Sequence, residues 1–217
     1  MMTFQRPVTP YDKKPNHLLS RIEELRAELR QRSPLDIARR SGAVYTPMYE
    51  DCGEFSLPVW DQPLAVTFPD FTILSVATGQ GLNPAIQALV LYYFQAANGT
   101  PLTGRYIAYS ELPDGRFYSQ AYQGYTGHEL AKRFGNDPHA LHRAAGKSGG
   151  VPHALGDIAY LFQLLPHVTL LLVYWQGDED FPANCQILFD AAAASQLPTD
   201  ACAIAGSMLT RKLLSSE

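Results

Sequence analysis

The sequence is short of cysteine, of basic charge and of long apolar runs, and each shortage closes a class of function. Its three cysteines, Cys52, Cys185 and Cys202, are odd in number and widely spaced, which argues against a disulfide framework. There is no C-x-x-C pair, so a zinc ribbon or a local cluster-binding motif has no basis. Lys and Arg number 17 against 21 Asp and Glu, a net charge of −4. A broad nucleic-acid footprint needs clustered Lys and Arg, so none is expected. No apolar stretch approaches the roughly 18 residues of a membrane span. The opening MMTFQRPVTPYDKKPN carries no apolar segment of signal-peptide type. The reading is a cytoplasmic protein without nucleic-acid or membrane partners. H-E-x-x-H and the spaced acids of an EF-hand loop are also missing. Gly146-Lys147-Ser148 imitates the end of a P-loop, but Leu141 stands where its first glycine is required.

What the chain has is apolar mass: 46% of its 217 residues are hydrophobic, enough for a sizeable core. Residues 1–16 read as a polar, proline-containing tail, and 17–217 as a single α+β domain with an N-terminal helical segment. In that segment, His17 to Arg32, Leu18, Ile22, Leu25 and Leu29 form one stripe. The stripe packs on its own domain or offers helix 17–32 to a protein partner. Glu28 stands four residues ahead of Arg32, as an ion pair would require. Ser33 and Thr199 sit as N-caps of later helices.

Short β runs broken by prolines fill 43–76. Asn83-Pro84 opens a helix with an apolar face of Ile86, Leu89, Val90 and Tyr93, ending near Gly99. Arg105 to Tyr109 and Arg116 to Tyr118 read as strands. Helices follow over 129–145, and another over 200–213. The most apolar stretch is Val168 to Trp175, VTLLLVYW, a strand covered on both faces. With Ile158 to Leu164 and Cys185 to Phe189 it makes an antiparallel meander. The fold expected is α+β: a mostly antiparallel sheet from the 43–76, 105–118 and 158–189 strands, covered by helices.

Three groups of residues carry candidate chemistry. Asp178, Glu179 and Asp180 are adjacent acids; crowded and buried, one would be poised as a proton donor. Asp178 and Glu179 are therefore candidate general acid–base residues, with His139 or His153 as partners. On the surface they are a solvated turn that discourages edge pairing. Tyr106, Tyr109, Tyr118, Tyr122 and Tyr125 crowd one segment, and rings with polar tips suit a ligand pocket or a half-buried sheet. Trp175 could floor such a pocket, and Arg133 or Lys132 could meet a ligand carboxylate. His139 and His142, three apart, share a helix face and could hold a metal if a third ligand came from elsewhere.

Five stretches stand in a recognisable order: Asn98 to Gly104 (NGTPLTG), Glu111 to Gly115 (ELPDG), Leu130 to Gly135 (LAKRFG), Trp175 to Pro182 (WQGDEDFP) and Leu188 to Asp190 (LFD). In these the chain, over about residues 20 to 214, resembles the prokaryotic domain-of-unknown-function family 3786. Some members of that family carry an added iron–sulfur domain like that of corrinoid proteins. The resemblance implies a link to redox or to tetrapyrrole or corrinoid metabolism. This chain, with three cysteines, departs from the fused members in lacking the cysteine-rich domain. The resemblance nominates Arg133, Trp175, Asp178, Glu179 and Asp190 as positions, without assigning their roles. Two main functions follow: a ligand-binding or accessory protein for an aromatic or tetrapyrrole-like molecule, and a hydrolase- or lyase-type enzyme using the acidic turn.

Overall fold

The structure is a computed structural model and describes residues 15–216. The tail expected over 1–16 falls outside these residues, except that Pro15 and Asn16 open the first helix.

Helix α1 (Pro15–Leu29) buries Leu18, Ile22, Leu25 and Leu29, so the stripe read from the sequence is spent inside the chain's own core. It lies along α3 (Pro84–Ala96), with Arg26 reaching Gln87 at 3.0 Å. Glu28 pairs with Arg21 and Gln95 rather than with Arg32, whose guanidinium donates to the Gln95 carbonyl at 2.6 Å. Helix α2 (Pro34–Ser41) ends at Gly42, which takes φ +71° as a left-handed stop. Ser33 makes no side-chain cap there. Asn83 does cap α3, accepting from the Ile86 N–H at 3.1 Å. From α3 the Tyr93 hydroxyl donates to the Ser41 carbonyl at 2.6 Å and accepts from the His167 N–H at 3.2 Å. One phenol thus joins α2, α3 and a turn of the second sheet.

The strands form two antiparallel sheets rather than the single one expected. The first is a meander of β1 (Val44–Pro47), β2 (Gly53–Val59), β3 (Gln62–Phe68) and β4 (Ile73–Ser75). Its buried side alternates in the strand period: Phe55, Leu57 and Val59, then Leu64 and Val66. Pro58 and Pro63 face each other across β2 and β3, Pro58 past the last β1 pair and Pro63 past the last β4 pair, where a missing N–H costs no ladder bond.

The second sheet runs in the order β5 (Tyr106–Ile107), β9 (Asn184–Asp190), β8 (Val168–Trp175), β7 (Ile158–Leu165), β6 (Val151–His153). Strand β8 is its centre, buried along nearly its whole length. One face of the sheet joins the main core with Phe162, Leu170, Leu172, Tyr174 and Phe189. The other carries a smaller cluster of Ala159, Leu171 and Val173, flanked by Tyr106, Leu161, Trp175 and Leu188. The Trp60 N–H donates to the Leu164 carbonyl at 2.8 Å and stitches the two sheets together.

Between the sheets the chain is more helical than its sequence predicts. Residues 116–118, read as a strand, belong to a 3-10 turn and the approach to α4 (Ser119–Tyr125). Helices α5 (Gly127–Phe134) and α6 (Pro138–Lys147) follow. Helix α7 (Thr199–Leu214) is buried on nearly all sides from Ala201 to Ser207. Thr199 is its first residue rather than its cap, and its hydroxyl donates to the Pro113 carbonyl at 2.6 Å. No helix among the described residues is long and apolar enough to cross a membrane.

Candidate functional site

The acidic turn lies across a cleft from the junction of α5 and α6. Asp178 folds the turn on itself: its carboxylate accepts from the Asp180 and Phe181 N–H groups at 2.9 and 2.8 Å, and its own N–H donates to the Phe181 carbonyl at 2.8 Å. Gly177 is required by the close return of the chain, since a Cβ there would lie 2.5 Å from the Ala183 nitrogen. Gln176 is held from below by its N–H on the Asp157 carboxylate at 2.7 Å. On the opposite wall the Tyr174 hydroxyl donates to the Gly135 carbonyl at 3.0 Å and ties the end of α5 to β8. Asp137 caps α6 through the Ala140 N–H at 2.9 Å, so the start of that helix is already satisfied.

Residues 131–138 and 176–183 enclose about 540 Å³. Lys132 contributes an ammonium, Asn136 and Gln176 contribute amides, and Phe181 adds a ring left 71% exposed. Among the described residues the lining holds no Ser, Thr, Cys or His. A cation, amides and an apolar plate suit binding, and the Asp178 carboxylate beside them accepts from its own turn.

The predicted residues scatter. Asp178 lines the cleft, while Glu179 is exposed on the turn outside the lining. Among the described residues no histidine lines the cleft with Asp178. Trp175 and Tyr106 pack in the small cluster on the far face of the second sheet. Tyr109, Tyr118 and Tyr122 group with Tyr125 and Phe189 in the main core, Tyr109 stacked on Tyr122 at 4.2 Å. Burial pushes the Tyr109 and Tyr122 phenols above their ordinary range. Arg133 lies over the Phe134 ring at 5.2 Å. His139 is exposed, and the Nδ1 of His142 is 2.7 Å from the Tyr160 hydroxyl. Among the described residues no group of three or more His, Cys, Asp or Glu stands together to hold a metal.

Asp190 is fully buried, and its carboxylate is satisfied from within the chain. It accepts from the Thr103 N–H at 3.1 and 3.0 Å, the Thr103 hydroxyl at 3.0 Å, the Gly104 N–H at 2.7 Å and the Ala192 N–H at 2.8 Å. The carboxylate thereby pins the stretch 98–104 to the end of β9.

The structure pairs four of the five sequence stretches: 98–104 meets 188–190 at Asp190, and 130–135 meets 175–182 across the cleft. Sequence reasoning passed over Asn136, Gln176 and Phe181. The available signal was Phe181 itself, an apolar ring inside an acidic turn. No curated protein and no solved structure matches the chain. A family model described as domain of unknown function (DUF3786) matches residues 33–212. The chain belongs to this family.

Proposed function

We propose that the protein is a cytoplasmic ligand-binding or accessory protein, and that its ligand sits in the cleft between residues 131–138 and 176–183. The observation that carries this reading is the lining: Lys132, Asn136, Gln176, Asp178 and Phe181 border one space of about 540 Å³, with the Asp178 carboxylate turned to its own loop. The ligand class that fits is a molecule with an anionic group for Lys132, amide or hydroxyl groups for Asn136 and Gln176, and a flat apolar part for Phe181. The resemblance to a family with iron–sulfur-fused members makes porphyrins and corrinoids, which combine these features, the first ligands to try.

The test is thermal unfolding of the purified protein with porphyrins, corrinoids and simple aromatic carboxylic acids, read beside the visible spectrum. A true ligand stabilises the folded chain with the logarithm of its concentration, by about 2.7 kcal/mol at a hundredfold excess over Kd, and raises the unfolding temperature accordingly. Lys132→Ala and Phe181→Ala are expected to abolish that gain while leaving the free protein's stability nearly unchanged. A panel without any gain overturns the reading, and a gain that survives both substitutions places the ligand elsewhere.

A further inference from the structure

Strand β9 has an open place on its outer edge. The Ala191 N–H donates outward to the Arg105 carbonyl at 2.8 Å, and the Cys185 carbonyl accepts outward from the Gln123 side chain at 2.8 Å. Backbone groups alternate in direction along a strand, so residues 185, 187, 189 and 191 all face away from β8. Ile107 covers Phe189. The residue that would continue the pairing onto Ile187 is Tyr109, but there the chain leaves the strand for a 3-10 turn (Tyr109–Glu111). The Ala108 N–H is satisfied by the Glu111 carboxylate at 2.7 Å. Ile187, itself only 2% exposed, lines a slot of about 280 Å³ at this place, with its outward N–H and C=O unpaired by β5.

We propose that this slot is a second binding site, for a small neutral molecule with an amide edge, an N–H beside a C=O, as in a lactam or a pyrimidine ring. The parallel donor and acceptor of Ile187 complement that edge. Among the described residues the side chains around it, Ser119, Gln123 and Gln186 among them, are all uncharged, so an ionic ligand would lose solvation without a counter-charge. The slot is also short. Gln123 closes one end and Ile107 the other, four residues of strand apart, about 14 Å. That length excludes an extended peptide of any size and favours a ring. The inference is independent of the cleft reading.

The test is an amide-resolved NMR titration of the full chain with uracil, with 2-pyrrolidone, and with their fully N-methylated forms, 1,3-dimethyluracil and N-methyl-2-pyrrolidone. Before any ligand is added, the Ile187 N–H should exchange with solvent faster than those of Gln186 and Leu188; equal protection would overturn the open edge. On titration, Ile187 is expected to shift saturably, and methylation of the ligand nitrogen should weaken binding about tenfold, the loss of one hydrogen bond. Ser110→Trp, at the exposed mouth, should block the shift. No saturable shift at Ile187, or equal affinity for methylated and parent ligands, would overturn the proposal. A short extended peptide that shifts Ile187 where the rings do not would replace the small molecule with a strand-adding partner and equally overturn it.

Discussion

Tyr106 and His153 belong to strands at opposite edges of the five-stranded sheet, yet their ring centroids stand 5.6 Å apart. A flat sheet would separate those strands by about 19 Å, four gaps of about 4.8 Å. The sheet is therefore curled until its edges meet over Ala159, Leu171 and Val173. The edge-to-face pair is expected to couple by about 0.5–1.5 kcal/mol. A double-mutant cycle of Tyr106→Ala and His153→Ala, followed by urea unfolding, measures it; additive losses would show that the rings meet without holding the curl.

Asp190 should act as a structural anchor. Asp190→Asn keeps the shape but puts an amide NH₂ where an acceptor is needed, against the N–H groups of Thr103, Gly104 and Ala192. The expected loss is about 3 kcal/mol, from charge-assisted hydrogen bonds broken in a buried place. Hydrogen exchange should show residues 98–105 opening well before the rest of the chain. A variant as stable as the parent would show that the stretch holds without the carboxylate.

Much of this fold was legible because some stretches have only one physical solution. VTLLLVYW is too apolar and too β-branched for anything but a covered strand, and β8 spans those residues. Asn83-Pro84 starts a helix by capping chemistry alone, and α3 begins there. Legibility failed where tertiary contacts decide. Helix α4 has Gly124 and two tyrosines within seven residues, a poor local helix former, and it forms because Tyr122 packs on Tyr109 and Phe189. The division into two sheets depends on where β4 and β5 stop pairing, which no local pattern encodes. The cleft was legible only in half: its acidic turn stood out, while its other wall lies some 40 residues earlier in an ordinary helix junction.

Gly206 should resist replacement although it lies in the middle of α7. A Cβ there would come within 2.1 Å of the Tyr122 hydroxyl and 2.7 Å of its ring. Alanine gains about 1 kcal/mol of helix propensity over glycine, and overpacking a filled core costs about 1–3 kcal/mol. Because the Tyr122 ring is buried against Tyr109 and Phe189, its retreat is limited, so Gly206→Ala should destabilise the protein. Adding Tyr122→Phe, which removes the clashing oxygen, should restore part of the loss. Denaturant midpoints of the three variants decide between steric cost and propensity gain.

Alkaline conditions should unfold the protein through groups that burial keeps protonated. Burial pushes the Cys185 and Cys202 thiols up to about 12, from an ordinary 9.0. It also raises the phenols of Tyr93, Tyr109 and Tyr122 above their ordinary 10.0. Below about pH 9 the folded and unfolded chains both keep these protons, and stability is independent of them. Above it the unfolded chain releases thiol protons that the folded chain retains, so each step in pH favours unfolding. Two thiols contribute up to about 2.8 kcal/mol per pH unit, and the tyrosines add to the slope above pH 10. Against a net stability of about 5–15 kcal/mol, the native state is exhausted within a few units. Urea midpoints taken stepwise from neutral pH upward should stay level to about pH 9 and then fall. Cys185→Ala with Cys202→Ala should delay the fall to the tyrosine range. An unchanged onset in that double variant would mean that the alkaline transition starts from some group other than the buried thiols.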